Sequence, residues 1–260
     1  MKLSQIIIGT SGWGSRIGFK KSKILGNELI NLGIINFDTA PNYGSGYSHH
    51  ILNSLSKLKK LNVDTKFGDL VAPTPKEILK RIYRFNDLNS FIRSFKYCKT
   101  NKQIRFNYSF WNIDNIMKNI RSYFNDLKSC NIKTLYLHSP PDEIINRDLL
   151  KKLTESLSLK KIKLGVSSPE EKCFNLIINE FPEVITQVSF DFFVNNKKKI
   201  INKLDNVYIN RLFKSQNNIN KKTNFPIDYF KEIFQDKKNY RIIVGINSKK
   251  SISKLNDFLK

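Results

Sequence analysis

Four side chains with complementary acid–base chemistry stand at the ends of successive apolar segments of this sequence. Asp38 follows the apolar stretch Ile34–Phe37, and Tyr43 comes five residues after Asp38. Lys66 closes the next β-rich segment, and His138 closes the one after it. If these segments are neighbouring strands, they bring a carboxylate, a phenol, an ammonium and an imidazole to one rim.

These four residue types fit the reduction of an aldehyde or ketone. The alkoxide that forms when hydride adds to a carbonyl needs a proton from a donor within hydrogen-bond reach. A free tyrosine has a pKa of about 10, and a lysine beside it favours the phenolate and so lowers that pKa. An aspartate paired with the lysine keeps the lysine charged, and a neutral histidine can stabilise the developing oxyanion. The four types therefore make chemical sense as one site.

Each residue taken alone also has an ordinary structural explanation. Asp38 could cap the following helix, Tyr43 could be a loop aromatic, and Lys66 is one of many lysines. His138 is one of only 3 histidines in the chain, but a strand-end histidine is often structural. Their coincidence at three consecutive strand ends favours a shared functional role.

Short β-rich segments alternate along the chain with longer segments whose apolar residues recur at helical spacing. Several of the short segments are continuously apolar, which is typical of parallel strands covered on both faces. We predict eight strands, at Gln5–Thr10, Ile34–Thr39, Asn62–Lys66, Thr134–His138, Lys163–Ser167, Ile185–Phe190, Val207–Arg211 and Arg241–Ile246.

The clearest predicted helix has an apolar stripe whose residues recur at steps of three and four: Ile113, Ile116, Ile120, Phe124 and Leu127. Further helices are expected to begin at Ser168, which precedes Pro169, and at Pro226, while Ser248 is expected to cap the last helix. The segment from Gly68 to Phe110 is long, polar and only partly periodic.

Eight strands that alternate with helices fit either a closed barrel or an open doubly wound sheet. A doubly wound sheet would normally carry Gly-x-Gly-x-x-Gly after its first strand, but the third glycine of Gly9–Gly14 comes one residue early. We therefore predict an α/β fold, a single (β/α)8 TIM barrel domain over residues 1–260, a length typical of that fold. In such barrels the active site lies at the carboxyl ends of the strands, where the four residues above fall.

The composition limits the other functional classes. No run of roughly 18 apolar residues occurs, so no membrane span is expected, and the N-terminal residues lack the cleavage site of a signal peptide. The 3 cysteines are odd in number and widely spaced, which fits neither a disulfide framework nor a metal site and indicates a reducing cytoplasm. We expect a cytoplasmic protein without a metal.

The formal net charge of +23 is unusual. The lysines are scattered along the whole chain, and the densest clusters, such as Lys197–Lys199, are short. Scattered surface lysine predicts a general attraction for anionic ligands but no dedicated nucleic-acid partner. The sequence does not reveal the oligomeric state.

Five segments of the sequence resemble motifs of the aldo-keto reductase family. The resemblance runs in the right order from about residue 5 to about residue 258, and it is to the compact bacterial members of that family. The segments are Phe37–Gly44 (Asp-Thr-Ala-x-x-Tyr-Gly), Thr65–Gly68 (Thr-Lys-x-Gly), Leu135–Pro140 around His138, Gly165–Ser168 with Gln187, and Val244–Ser248.

The resemblance implies an NAD(P)H-dependent reductase in which Tyr43 is the general acid, Lys66 and Asp38 tune it, and His138 orients the carbonyl. It also implies that NADP(H) is the preferred cofactor and NAD(H) the alternative, with Lys249 and Lys250 as candidates for a 2′-phosphate site. Ser167 and Gln187 would hold the nicotinamide carboxamide, Arg211 would face the ring, Asn247 and Ser248 would bind phosphate oxygens, and Trp13 and Trp111 would line the substrate pocket.

The resemblance further implies a small-molecule carbonyl substrate, which we expect to be sugar-derived because the compact members act in bacterial sugar and surface-polysaccharide pathways. Some positions depart from the family pattern, such as Ser168, His49 and Asp191. These departures, together with loops that look trimmed, leave an alternative: a cofactor-binding barrel with a regulatory or interaction role and little catalysis.

Overall fold

The apolar segments form the strands of a closed parallel barrel. The computed structural model describes residues 2–68, 110–212 and 239–259. The strand order follows the chain, and pairing between the last strand and the first closes the ring. The strands are β1 (Ile6–Gly9), β2 (Asn36–Asp38), β3 (Asn62–Gly68), β4 (Asn131–His138), β5 (Lys163–Ser167), β6 (Ile185–Ser189), β7 (Val207–Asn210) and β8 (Arg241–Gly245).

All eight predicted strands and the predicted barrel are confirmed. The largest boundary error is at β4, which begins at Asn131, three residues before the predicted start at Thr134. The extra residues pair with the beginning of β3, where Asn131 faces Asn62 and the register shifts between Val63 and Asp64.

Helices surround the barrel and follow the strands along the chain. The stripe predicted around Ile116 is confirmed, because α3 buries Ile116 and Ile120 against the barrel, and Asn112 caps its first turn by accepting a hydrogen bond of 2.8 Å from the Asn115 amide. The described helices are α1 (Phe19–Asn31), α2 (Tyr47–Leu55), α3 (Ile113–Asp126), α4 (Arg147–Ser158), α5 (Glu171–Glu180), α6 (Phe190–Asn195), α7 (Lys197–Lys203) and α8 (Lys249–Leu259).

The buried side chains form two separate groups, because alternate residues of a strand point to opposite faces. The large apolar core lies between the strands and the surrounding helices and includes Phe37 and Leu135. A small cluster fills part of the barrel interior: Ile7, Tyr136, Ile185, Tyr208 and Ile243. The remaining interior positions of β2, β3 and β6 carry polar side chains, which are buried at Asp38, Asp64, Lys66 and Gln187.

Some sequence predictions lie outside the described residues. The helix predicted from Pro226 and most of the segment after Gly68 fall there, as does Cys98. Cys130 and Cys173 are free and buried. Among the helices that the structure describes, none is both long and apolar enough to cross a bilayer.

Candidate active site

A buried ion pair joins the carboxyl ends of β2 and β3. Lys66 Nζ donates a hydrogen bond to Asp38 Oδ1 and another, of 3.2 Å, to the carbonyl oxygen of Thr39. Gln187 Nε2, which projects from β6, lies 3.4 Å from the same Asp38 oxygen. Asp38 and Lys66 are both almost completely buried, so their pairing compensates two charges that water cannot reach.

The surroundings keep Lys66 protonated. Burial lowers the pKa of Lys66, but attraction to Asp38 and then to Tyr43 outweighs burial, and the net shift is upward from 10.5. Burial raises the pKa of Asp38, and the neighbouring ammonium of Lys66 opposes that rise. At neutral pH the mouth of the barrel therefore contains a fixed positive charge.

Tyr43 stands beside this charge at the start of a short 3-10 helix, Tyr43–Gly46. Lys66 Nζ lies 5.4 Å from the centroid of the Tyr43 ring. A cation at this position stabilises the phenolate relative to the phenol. The next residue, Gly44, has a φ of 57°, and a Cβ there would stand 2.2 Å from the Trp13 carbonyl oxygen. Only glycine therefore fits the turn that presents Tyr43.

A chain of buried hydroxyl groups fixes the loop that carries Tyr43. Ser48 of α2 donates to Thr10 Oγ1 at 2.6 Å and contacts Thr39 Oγ1 at 2.8 Å. Thr10 in turn donates to the carbonyl oxygen of Asp38 at 2.9 Å. The loop after β2 is thus tied to β1 on one side and to α2 on the other.

His138 lies at the same end of the barrel, as the last residue of β4. It is half-buried, and its Cα is paired with Gly68 of β3 and Ser167 of β5. A Cβ on Gly68 would stand 2.7 Å from the His138 carbonyl oxygen, so the glycine permits the two strand ends to approach. The structure therefore brings all four predicted catalytic residues to the carboxyl end of three adjacent strands.

Two polar side chains at the ends of β5 and β6 suit the amide of a nicotinamide. Ser167 and Gln187 are ladder partners and are both buried. Gln187 Oε1 has no hydrogen-bond partner among the described residues. A buried acceptor without a donor costs free energy until a ligand satisfies it. A primary carboxamide supplies such a donor, so the residues present fit the group that the resemblance implies.

The end of β7 differs from the sequence prediction. The strand ends at Asn210, one residue before the predicted end at Arg211. Arg211 has a left-handed φ of 59° and an exposed side chain, and its predicted contact with the ring stays a prediction. Asn210, which sequence reasoning missed, has a buried Oδ1 without a partner among the described residues. Strand alternation could have indicated it, since Asn210 follows the inward-facing Tyr208 by two positions.

The turn between β8 and α8 forms the predicted start of the last helix. Ser248 Oγ accepts a hydrogen bond of 3.2 Å from the Ser251 amide, which confirms Ser248 as the cap. Asn247 is exposed on the same turn. Lys249 Nζ lies 2.7 Å from Glu28 Oε1, whereas Lys250 is exposed. Of the two lysines proposed for a 2′-phosphate, Lys249 is therefore already engaged by a carboxylate.

The two tryptophans predicted for the substrate pocket both belong to the buried apolar core around the barrel. Trp13 is completely buried in the core between the barrel and the helices, where its Nε1 donates to the Ile246 carbonyl at 3.1 Å. Its ring packs edge-on against outward-facing Phe37, and its place in a substrate pocket stays a prediction. Trp111 packs edge-on against Phe67 and covers Gly68 at the end of β3. Trp111 thus remains close to the barrel mouth.

Ser168 is not the helix cap that its sequence context predicts. Helix α5 begins at Glu171, and its first flanking residue is Glu170. Ser168 instead has a left-handed φ of 54°, and its amide donates to the Gln187 carbonyl at 2.8 Å. This hydrogen bond extends the pairing between β5 and β6, and it forms in place of the helix cap predicted at Ser168.

Asp64 is the most notable buried residue that sequence reasoning missed. It lies in the barrel interior, two residues before Lys66 on the same face of β3, and its backbone pairs with Asp38. Burial raises the pKa of Asp64 to about 7, while a hydrogen bond with Thr134 opposes the shift. An acidic residue in the middle of a predicted interior strand was the available signal, since barrel interiors are usually filled by branched apolar residues.

Comparison with known proteins places this geometry in a family. The model of the aldo/keto reductase family matches residues 5–206. No curated protein is similar enough in sequence to match. A thermostable aldo-keto reductase solved with the inhibitor epalrestat is 14% identical, with a TM-score of 0.65 over 100% of this chain and 90% of that one.

Two further solved structures share the fold. An aldo-keto reductase from Bacillus halodurans in its holo form is 12% identical, with a TM-score of 0.62 over 98% of this chain and 86% of that one. An aldo-keto reductase from Klebsiella pneumoniae in complex with NADPH is 11% identical, with a TM-score of 0.58 over 98% and 86%. At these identities the likeness shows the fold alone, whereas the family match covers most of the chain and includes the strand ends that carry Asp38, Tyr43, Lys66 and His138. The chain therefore belongs to the aldo/keto reductase family of carbonyl-directed oxidoreductases.

Proposed function

We propose that this protein reduces an aldehyde or ketone to an alcohol with NADPH, using Tyr43 as the proton donor. The observation that carries the proposal is the buried Asp38–Lys66 pair, whose ammonium lies 5.4 Å from the centroid of the Tyr43 ring. His138 stands on the same rim, two strands away from Asp38.

The residues of the site divide the chemistry among them. A bound nicotinamide supplies the hydride. Tyr43 donates its proton to the carbonyl oxygen as negative charge develops there, and Lys66 stabilises the phenolate that remains. Asp38 holds Lys66 in place and keeps it charged, and His138 offers a hydrogen bond to the substrate oxygen. The substrate would enter beside Trp111, which covers Gly68 at the end of β3.

The cofactor would be held at the ends of β5 to β8. Ser167 and Gln187 would bind the carboxamide of the nicotinamide, and the buried Asn210 Oδ1 offers a further acceptor nearby. The first amides of α8, behind Asn247 and Ser248, suit phosphate oxygens because helix N-termini attract anions. The preference for NADPH rests on Lys250, since Lys249 is paired with Glu28. A sugar-derived carbonyl compound is the substrate class that we propose.

Fluorescence titration of the protein with NADPH and then with NADH tests the cofactor. We expect saturable binding of both, with NADPH binding more tightly. Turnover is then measured across a panel of sugar-derived and simple carbonyl compounds. Failure of both nucleotides to bind at sub-millimolar concentration would contradict the proposal.

Replacement of Tyr43 tests the proton donor. In Tyr43→Phe we expect kcat to fall by about 10² to 10⁴, the range for loss of a general acid, while NADPH binding is retained. Tyr47→Phe, which removes a hydroxyl from α2 just beyond the same loop, is the matched control and should keep its kcat. Equal losses in both variants would point to a disturbed loop rather than to a missing proton donor.

A further inference from the structure

The end of the barrel opposite to the candidate active site has a concentration of lysines. They lie on the turns that lead into three adjacent strands and on the first residues of those strands. We call this region the amino-end basic surface; it consists of Lys57, Lys59, Lys60, Lys128, Lys133, Lys160, Lys161 and Lys163, all of them exposed.

The three turns form one continuous surface. Ser56 of the first turn donates to the Ser129 carbonyl of the second at 2.7 Å, and the Asn131 amide donates to the Leu61 carbonyl at 2.8 Å. Lys163, which ends the third turn, is the ladder partner of Thr134 in β4. Neighbouring strands of a sheet lie about 4.8 Å apart, so the three turns are close neighbours.

Acidic residues are missing from these turns. Residues 56–61, 127–133 and 158–163 contain eight lysines and not one aspartate or glutamate. Like charges so close together repel one another, and an anionic partner would relieve that repulsion.

Two leucines project from the same surface. Leu58 is 76% exposed and Leu159 is 88% exposed, and they are the most exposed large apolar side chains among the described residues. Each is followed by two lysines. Apolar side chains surrounded by cations are typical of segments that rest on membranes, where the apolar groups enter the boundary region and the cations contact acidic headgroups.

We propose that the amino-end basic surface docks this protein on an anionic phospholipid bilayer. Charge complementarity provides the attraction, and the two leucines favour a lipid surface over a nucleic acid, whose phosphate backbone offers nothing for an exposed leucine to enter. In this orientation the carboxyl end of the barrel points away from the membrane. The candidate active site would stay open to dissolved cofactor and substrate.

Cosedimentation of the full chain with vesicles tests the proposal at physiological salt, where the Debye length of about 8 Å suppresses long-range effects of net charge. The probes are phosphatidylcholine vesicles with and without phosphatidylglycerol. The test variant carries Lys57→Glu, Lys59→Glu, Lys160→Glu and Lys161→Glu. The matched control makes the same change at four exposed lysines on other faces: Lys20, Lys21, Lys172 and Lys198.

We expect binding only to the anionic vesicles, and a loss of affinity of more than about tenfold in the test variant but not in the control. The double variant Leu58→Ser and Leu159→Ser, which keeps the net charge, should also bind about tenfold more weakly. Its control, Ile24→Ser with Val194→Ser, alters two apolar residues that are exposed elsewhere. Circular dichroism verifies that each variant is folded.

Three results would overturn the proposal. Equal losses in the two lysine variants would mean that only net charge matters. Unchanged binding in the double leucine variant would remove the reason for preferring lipid. Displacement of the protein from vesicles by a stoichiometric amount of duplex RNA would identify a nucleic acid as the better partner.

Discussion

The barrel interior and the layer around the barrel bury side chains of opposite kinds. The surrounding layer is mostly apolar and contains most of the core of the described residues, including both tryptophans. Among the described residues, the apolar cluster of the interior has five members, and Asp38, Asp64, Lys66 and Gln187 are also buried there. Burial of apolar surface drives folding, whereas buried charges cost free energy unless they are paired. The outer layer thus stabilises the chain, whereas the interior buries charged groups at a cost in free energy that pairing reduces.

Breaking the interior ion pair should have the largest effect. In Lys66→Met we expect the free energy of unfolding to fall by about 3 to 5 kcal/mol, because Asp38 is left as an uncompensated buried charge. The measurement is urea unfolding at neutral pH. Lys160→Met, which changes an exposed lysine in the same way, should shift stability by less than about 0.5 kcal/mol.

The double variant Lys66→Met and Asp38→Leu separates stability from chemistry. Replacing both partners by apolar residues is often close to neutral, so much of the stability should return while carbonyl reduction does not. If activity returned together with stability, the ion pair would serve only to stabilise the fold, as the apolar outer layer does.

The next prediction concerns Asp64, the interior carboxyl group beneath this pair. Its ordinary pKa is 3.8 and burial raises its pKa in the fold to about 7. Between these values the folded protein retains a proton that the unfolded chain has released, so this group makes stability fall as pH rises from about 4 to about 7. The full span corresponds to on the order of 4 kcal/mol.

Asp64→Asn should remove that contribution. We expect the variant to gain stability relative to wild type as pH rises from 4 to 7, as measured by urea unfolding at several pH values. A difference between the two proteins that stays constant across this range would mean that Asp64 does not titrate there.

The sequence predicts the barrel well because each strand is specified locally. The continuous apolar runs, such as Ile6–Ile8, are typical of parallel strands that are covered on both faces. The same local patterns predict the positions of Asp38, Lys66 and His138, because each lies at or near the carboxyl end of a strand. The sequence was less informative where distant parts compete, as at Ser168, whose amide pairs with β6 instead of starting a helix.

Asp64 and Trp13 show that the surroundings of a single side chain also depend on distant parts of the chain. Whether an aspartate in a strand faces the interior depends on register, which here shifts between Val63 and Asp64 against β4. Whether a tryptophan after β1 is buried or exposed depends on the residues that pack behind its ring. In this protein Gly26 of α1 leaves room for the ring, which a Cβ at that glycine would approach to 3.3 Å.

The smallest of the three predicted changes in stability comes from the outer layer. Its dependence on pH has the opposite sign to that of Asp64. His49 of α2 is buried beside β3, where its Nε2 lies 3.2 Å from Thr65 Oγ1. Burial lowers the pKa of His49 from 6.5 to about 4, with a smaller opposing attraction from Asp126. Between these values the unfolded chain holds a proton that the fold excludes, so this group makes stability fall as pH drops from 6.5 to 4. The span corresponds to on the order of 3 kcal/mol.

His49 and Asp64 therefore work against each other over the same pH range. In wild type their opposite slopes should largely cancel between pH 4 and 6.5, whereas each single variant should reveal the slope of the other group. His49→Gln, which keeps a polar partner for Thr65, should lose stability as pH rises through this range, and Asp64→Asn should gain it. Urea midpoints measured at half-unit steps of pH distinguish these outcomes. If the stability of both variants kept the wild-type dependence on pH, neither residue would change its protonation on unfolding in this range. The opposite pKa shifts of the two layers would then not contribute to stability.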